Sequence, residues 1–286
     1  MTTINTNNMN EKTTIVNNIL NKVDAWTRIT LVNACKYMER TGFMSYSIDF
    51  PVDHATIPEF QRRLDDKIVR KIKREFDPLK VEFIILNFNP ITLEWEVLDG
   101  QHTLITLEEL GYDIVQAKMY IGLTDIEKAT IFATQYSKKN RLSPVHEYHV
   151  YRWAGMEPAK TIETISEEFK VIVGGRRSEV RTVTSVRKLN QIVKKYGAEG
   201  LRFCYQLIED SGWTCDPKAY TEAVLNIGYF AYPLCDSKAK YNLLISMLNQ
   251  FVTCTDFIDY VRFEHKEISA KHPEYGVRLT VEEVLR

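Results

Sequence analysis

The segment Asp99-Gly100-Gln101-His102 combines residue types that can bind or transform a phosphate group. It follows an apolar, β-prone run over 93–98 and precedes residues with helical spacing. Backbone N–H groups and the helix dipole attract anions at the first turn of a helix. Gly100 permits close approach of the backbone, and the two residues after it would reach the same ligand as the amides. The segment therefore predicts either a phosphate-facing site or an ordinary Asp-Gly turn before a helix, and the motif by itself leaves both alternatives open.

The elements that must position this segment belong to a mixed α+β first half. Runs over 81–86 and 93–98 are apolar and β-prone, and the intervening Asn-Phe-Asn-Pro predicts a hairpin. A helix over 101–110 should end at Gly111, because glycine adopts the left-handed conformation of a helix cap. Further expected elements are a strand over 44–50, a helix over 65–76, a strand over 115–121 and a helix opened by a capping box at Thr124 and Glu127.

The residues from Pro144 onward have helical spacing, apart from one strand-like run over 171–173. The expected helices cover 145–153, 159–169, 180–196, 198–210, 217–229, 238–249 and 253–268. We therefore predict an N-terminal helical extension over 1–43, an α+β domain over 44–153 and an all-α domain over 154–286 that is a candidate for contact with DNA.

Four ordered segments between Ser47 and Arg152 resemble boxes of the ParB/sulfiredoxin superfamily. Residues 58–62, Pro-Glu-Phe-Gln-Arg, resemble its P-x-x-Q-x-R box, and the helix over 65–76 and the strand over 81–86 follow in the order of the family. Residues 95–102, with Leu-Gly-Tyr at 110–112 and the strand after it, resemble its strand, G-x-H-R box, helix end and next strand. Residues 135–147 resemble its E-N-x-x-R and L-x-P-x-E segments. The Asp-Gly-Gln-His spelling is similar to the D-G-Q-H-R variant of phage and mobile-element proteins.

This resemblance implies a ParB/sulfiredoxin-like fold with a small mixed sheet, in a DNA-associated regulatory or partition-type protein of a mobile element. Because ParB proteins bind cytidine triphosphate through these boxes and hydrolyse it slowly, the implied ligand is CTP or another nucleotide with Mg²⁺. The implied nucleotide- or phosphate-binding residues, including three later sources of positive charge, are Gln61, Arg62, Gly100, Gln101, His102, Thr103, Lys138, Lys139 and Arg141.

The sequence departs from the family pattern at four positions. Thr103 stands where the family usually has a phosphate-pairing arginine, and Gln135 and Lys139 stand where it has a metal-coordinating glutamate and an arginine. Gln101 occupies the place of the sulfiredoxin cysteine nucleophile, which excludes sulfinic-acid repair. Two alternatives therefore stand beside nucleotide binding. One is a ParB-like nuclease or slow NTPase, with His102 as the catalytic base and Asp99 orienting it; the other is a non-catalytic interaction module with a vestigial pocket.

A basic segment stands out in a chain of formal net charge −1. Between Lys170 and Arg202, nine basic residues against two glutamates leave a net charge of +7. Such a concentration predicts either contact with a phosphate backbone or a solvated helix face with a loop. A standard helix-turn-helix does not fit, because the stretch between the two candidate helices is too long. The candidate DNA-binding residues are Lys170, Arg176, Arg177, Arg181, Arg187 and Lys188.

The remaining patterns bear on location and partners. Five cysteines without a C-x-x-C pair indicate reduced thiols, and no apolar run approaches the ~20 residues of a membrane span, so a cytoplasmic protein is expected. His146 and His149 fall one residue short of H-E-x-x-H spacing, and an amphipathic helix explains them better than a metal site. The late aromatic residues favour a core or the seam of a homodimer. The expected partners are therefore DNA, a nucleotide and a second copy of the chain, without a membrane.

Overall fold

A computed structural model describes residues 6–61, 63–139, 143–176 and 178–286, without the side chains of 6–10 and 134–139. The chain divides into two compact units, Met1–Leu142 and Ser143–Arg286. This division lies before the boundary between residues 153 and 154 that the sequence suggested. The physical reason is that Tyr148, which precedes the suggested boundary, is buried in the hydrophobic core of the second unit.

The first unit is built on a five-stranded mixed sheet of order β1-β5-β3-β4-β2. Its strands are β1 (Tyr46–Pro51), β2 (Ala55–Thr56), β3 (Ile84–Asn89), β4 (Glu94–Asp99) and β5 (Ile114–Ile121). The pairs β1–β5 and β3–β4 are antiparallel, whereas β3–β5 and β2–β4 are parallel. The predicted small mixed sheet is thus confirmed.

The predicted β3–β4 hairpin is present, but β3 begins at Ile84 rather than at Val81. The strand residues Ile84 to Phe88 are all buried, whereas the side chains of Val81 and Phe83 are 37% and 50% exposed. The turn is shifted as well, because the Asn89 Oδ1 atom accepts hydrogen bonds from the next two available N–H groups, at residues 91 and 92.

The α-helices that the described residues add to this sheet are α1 (Thr6–Asn17), α2 (Ala25–Thr41), α3 (Asp66–Arg74), α4 (Gln101–Glu109) and α5 (Asp125–Lys139). In the segment predicted as an N-terminal extension, the described residues form α1 and α2, and Val16, Leu31 and Met38 share one hydrophobic core with strand residues. The predicted capping box is present at the start of α5, where the Thr124 N–H donates to Glu127 and the Glu127 N–H donates to the Thr124 hydroxyl.

The second unit is helical, as predicted. Its helices are α6 (Pro144–Trp153), α7 (Ala159–Glu168), α8 (Val186–Asp210), α9 (Glu222–Ala231), α10 (Lys238–Leu248), α11 (Cys254–Glu264), α12 (Lys266–Ser269) and α13 (Pro273–Leu285). Two short strands, β6 (Ile172–Val173) and β7 (Thr182–Val183), form a parallel pair. Because β7 uses residues 182–183, the helix predicted over 180–196 begins later, at Val186. Gly197 has non-helical backbone angles (φ 69°, ψ −164°), so α8 is kinked between the two segments that were predicted as separate helices, 180–196 and 198–210. In the described ranges, no helix is long and apolar enough to cross a membrane.

Candidate nucleotide and nucleic-acid sites

The connection between β4 and α4 places the Asp-Gly-Gln-His segment at a helix start. Gly100 has φ +89°, and a Cβ atom there would lie 2.8 Å from Cδ1 of Ile84. The Asp99 Oδ1 atom accepts a hydrogen bond of 2.8 Å from the Gly100 N–H. No side chain of the described residues caps α4. Its first turn therefore presents the positive end of the helix dipole without a side-chain cap.

Gln101 is the first residue of α4, and its side chain is only 9% exposed. Within the described part of the chain, its Oε1 atom is buried and has no hydrogen-bond partner. A buried acceptor without a donor costs about 1–3 kcal/mol of stability. An unsatisfied amide oxygen beside an uncapped helix start is therefore a feature that a bound ligand would relieve.

His102 is buried and connects two helices. Its Nε2 atom accepts a hydrogen bond of 3.1 Å from the backbone N–H of Asp65, the residue that caps α3. The contact uses the Nε2 lone pair, which fits a neutral ring with its proton on Nδ1. His102 therefore positions α3 against α4, and it would have to release Asp65 before this nitrogen could act as a base.

Gln61 also has a positioning contact. Its Nε2 atom donates to the carbonyl oxygens of Val97 at 2.9 Å and Leu98 at 2.8 Å, which holds the P-x-x-Q-x-R-like segment against β4. The neighbouring implied ligands Arg62 and Arg141 lie outside the described residues, as do the side chains of Lys138, Lys139 and Gln135.

Thr103 lines a cleft of 290 Å³ that also contains Glu75, Asp77 and Glu82. The hydrogen bond from Arg74 lowers the pKa of Glu75. The hydrogen bond from Lys80 lowers the pKa of Asp77 in the same way. Both carboxylates are therefore charged at neutral pH and repel an anion, so the Gln101 side of the helix start suits phosphate better than the Thr103 side.

A buried polar network beside this site was missed from the sequence. The Glu96 carboxylate accepts hydrogen bonds of 2.8 Å from both Asn87 and Asn89, and it forms an ion pair of 2.8 Å with Lys128. The Lys128 and Glu96 side chains are 5% and 11% exposed. The network joins β3 and β4 to α5, and the one signal for it in the sequence was a glutamate inside an apolar strand.

Several residues of the basic segment are engaged within the second unit. Arg181 forms a two-pronged ion pair with Glu209, with distances of 2.6 and 3.2 Å, and donates to the Phe169 carbonyl oxygen at 2.8 Å. The hydrogen bond from Glu209 raises the pKa of Arg181. Lys188 is 6% exposed, and Arg202 pairs with Glu168 and Glu199. Glutamates outside the basic segment thus neutralise part of its charge.

The other basic residues of the segment reach solvent. Lys170, Arg176, Arg187, Lys194 and Lys195 are exposed, and Arg177 lies outside the described residues. These five positions are therefore the described members of the segment that a phosphate backbone can approach without breaking an internal ion pair.

We expect Arg181→Ala to lower the free energy of unfolding of the second unit by about 1–2 kcal/mol. The ion pair with Glu209 is about one-third exposed, so its contribution is modest, but the Phe169 carbonyl is also deprived of its donor. Urea unfolding followed by circular dichroism measures the change. Arg187→Ala, at an exposed position, is the matched control and should change stability by less than ~0.5 kcal/mol. Equal stability of both variants would show that the contacts of Arg181 do not stabilise the second unit.

The remaining candidates for metal binding or nucleophilic chemistry are histidine and cysteine side chains. Among the described residues, no group of three His, Cys, Asp or Glu side chains is arranged to hold a metal ion. His146 Nδ1 lies 3.1 Å from the Ser143 hydroxyl, and burial lowers the pKa of His149. The cysteines are free thiols, and burial raises the pKa of Cys204 to about 12, which makes it a poor nucleophile.

Comparison with known proteins gives matches at the level of solved structures. No family model and no curated protein matches the chain. One similar structure is the C-terminally truncated chromosome-partitioning protein ParB from Caulobacter crescentus complexed with CTP-gamma-S, at 14% identity and a TM-score of 0.27, covering 70% of this chain and 99% of that chain. Another is a Pnob8-like ParB-N domain, at 12% identity and a TM-score of 0.34, covering 85% and 98%. Both of these similar structures are ParB proteins.

Proposed function

We propose that the chain is a ParB-like, DNA-associated regulatory or partition-type protein of a mobile element, and that its first unit binds a nucleotide at the start of α4. The observation that carries the nucleotide site is the buried Gln101 Oε1 atom without a partner among the described residues, at an uncapped helix start. The four ordered boxes that resemble the ParB/sulfiredoxin superfamily support the same position and favour CTP.

The chemistry of the site favours a nucleotide over a bare phosphate. Amide N–H groups at a helix start attract phosphate oxygens, whereas Gln101 Oε1 is an acceptor that needs an N–H or O–H donor. A nucleoside triphosphate carries both kinds of group on its phosphates and on its sugar or base. Inorganic triphosphate carries mainly acceptors, and it should therefore bind more weakly.

The chain's own residues fit Mg²⁺ less well than they fit the nucleotide. Gln135 stands where the family has its metal-coordinating glutamate, and the described residues contain no cluster of three potential ligands. An amide oxygen is a weaker Mg²⁺ ligand than a carboxylate. We therefore expect any Mg²⁺ at this site to be held mainly by the phosphates of the nucleotide.

The test is thermal unfolding of the full chain with CTP, the other nucleoside triphosphates and inorganic triphosphate, each with and without Mg²⁺. A nucleotide at 100 times its Kd should stabilise the protein by about 2.7 kcal/mol. Gln101→Met should abolish this response without lowering the stability of the unbound protein, because it removes the unsatisfied oxygen at similar volume. Glu108→Gln, at an exposed position of α4, is the control and should respond as the wild type does.

The same panel discriminates the alternatives. If no nucleotide shifts the unfolding temperature, the pocket is vestigial and the interaction module becomes the preferred function. If a nucleotide is turned over, or plasmid DNA is nicked, and His102→Ala abolishes the activity, the protein is an enzyme. A response to nucleotide that persists in Gln101→Met would place the ligand elsewhere.

For the DNA-associated part of the proposal, the contacts are assigned to the exposed basic residues of the second unit. Within the basic segment these are Lys170, Arg176, Arg187, Lys194 and Lys195. Arg181 and Lys188, which the sequence suggested as further contacts, are left out of this set because they are engaged within the unit. Each phosphate contact releases counterions, so binding should weaken as salt increases.

We expect the double variant Arg176→Ala/Arg187→Ala to bind duplex DNA more weakly than the wild type and with a smaller salt dependence. The slope of log K against log salt should fall by about 0.9 for each DNA phosphate that the variant no longer neutralises. Fluorescence anisotropy with a labelled duplex at several salt concentrations measures both quantities. Lys238→Ala/Lys271→Ala removes the same charge at other exposed positions and should leave the slope unchanged. Absence of DNA binding even at low salt would refute the proposed DNA association.

A further inference from the structure

The second unit contains a cleft of 620 Å³ lined by residues of α8, α9, α11 and α13. This volume lies in the range of small-molecule sites, about 300–1,000 Å³. Lys188 and Gln191 of α8 line one part of it, and Asn226 and Tyr229 of α9 line another. Because both pairs are three residues apart, each helix directs its two side chains to the same face.

Lys188 is a buried cation in this cleft. Its side chain is 6% exposed, and its Nζ atom donates to Gln191 Oε1 at 2.6 Å and lies 4.4 Å from the centre of the Tyr229 ring. Lys188 forms no ion pair with a described residue, and the carboxylates of Glu222 and Glu274, which also line the cleft, act on it only at longer range. Burying an ammonium group without a carboxylate in contact is unfavourable, and burial accordingly lowers the pKa of Lys188.

The other two cations of the lining differ from Lys188. Arg262 pairs with Asp259 at 3.0 Å, and Arg278 pairs with Glu282 at 2.7 Å. Their charges are therefore balanced within their own helices. In the described lining, Lys188 is the cation that an incoming anion would pair with.

Asn226 supplies a second, independent feature of the same cleft. Its side chain is 4% exposed, and its Oδ1 atom has no hydrogen-bond partner among the described residues. An amide oxygen that is shielded from water needs a donor. The aromatic rings of Tyr229, Phe230 and Tyr275 also line the cleft and offer apolar contact to a ring.

We propose that this cleft is a binding site for a small ring-containing anion, whose carboxylate or phosphate pairs with Lys188 and whose N–H or O–H group donates to Asn226. The proposal does not depend on nucleotide binding by the first unit. It also gives Lys188 a function other than contact with DNA, since a buried ammonium group in a cleft is out of reach of a duplex backbone.

The experiment uses thermal unfolding and calorimetric titration of the full chain with four probes. These are 4-hydroxybenzoate and 4-hydroxyphenyl phosphate, which carry an anionic group and a donor, 4-hydroxybenzamide, which is neutral, and inorganic phosphate, which lacks the ring. We expect binding of at least one of the two ring anions and at least tenfold weaker binding of the other two probes. Comparing the two ring anions decides between carboxylate and phosphate.

Matched variants locate the site. Lys188→Met should weaken binding of the ring anion at least tenfold, whereas Lys238→Met, at an exposed position of the same unit, should have no effect. Asn226→Leu should lower the affinity for 4-hydroxybenzoate to that for benzoate. Gln101→Met should bind the ring anion as the wild type does, which separates this cleft from the proposed nucleotide site.

A second measurement covers the case in which Lys188→Met fails to fold. In the wild-type protein, the side-chain amide signal of Asn226 in an ¹⁵N correlation spectrum should shift as the ring anion is added. An unshifted signal, equal binding by Lys188→Met, or the absence of binding by both ring anions would overturn the proposal.

Discussion

Lys128→Met is expected to lower the free energy of unfolding of the first unit by about 3–5 kcal/mol, because it leaves the Glu96 carboxylate buried without its counter-ion. The two side chains lie 2.8 Å apart and are nearly inaccessible to water. Asn87 and Asn89 still donate to the carboxylate, but neither carries a charge. Urea unfolding followed by tryptophan fluorescence is the appropriate measurement, since Trp95 lies in the adjoining core.

Two further variants test this explanation. Lys80→Met removes an ion pair with Asp77 in which the lysine is 82% exposed, and it should cost at most ~1 kcal/mol. Adding Glu96→Gln to Lys128→Met removes the uncompensated charge and should recover part of the lost stability. If Lys128→Met and Lys80→Met have the same cost, the buried pair contributes no more than a surface pair.

Gly100→Ala should lower the stability of the first unit by about 2–5 kcal/mol. A side chain in the left-handed conformation costs about 1–2 kcal/mol, and overpacking against the Ile84 side chain, 2.8 Å from the added Cβ, costs a further ~1–3 kcal/mol. Because the substitution displaces the start of α4, we also expect it to abolish the response to nucleotide. Chemical unfolding and the nucleotide panel measure the two effects separately.

Gly111→Ala is the matched control for the steric part. Gly111 has φ +84°, close to that of Gly100, but no atom lies within 4 Å of an added Cβ. The control should therefore show the conformational cost of about 1–2 kcal/mol without the overpacking cost. Equal destabilisation by the two substitutions would show that contact with Ile84 does not constrain the β4–α4 connection.

The local elements of the fold were predictable because their signals lie close together in the sequence. Gly111 has positive φ just after the helix that was expected to end there. The capping box at Thr124 likewise needs only residues three apart. Strand order, by contrast, depends on pairings between distant residues, and no local pattern identified β5 as the partner of both β1 and β3. Helix α13 was missed although Val277, Val281 and Leu285 have helical spacing and are buried.

The position of the candidate site was predictable from the sequence, but the hydrogen bonds and ion pairs of its side chains were not. The sequence located Gly100 and Gln101 at a helix start, yet it offered no sign that His102 would accept a hydrogen bond from the Asp65 backbone. The basic segment shows the same limit, since Arg181 pairs with Glu209 across the fold. A sum of charge along the chain includes only acids that are near in sequence, whereas an ion pair needs acids that are near in space.

The strand order of the first unit has a consequence for synthesis on the ribosome. β1 is the first strand to be made, and its partner β5 is the last of the five, with Tyr46 paired to Met119. Ile48 and Phe50 of β1, both buried in the finished sheet, must therefore wait without their partner strand while the intervening chain is translated. Such a delay favours off-pathway strand pairing between nascent chains. Slower translation between these strands should prolong the interval in which the first unit is vulnerable to aggregation.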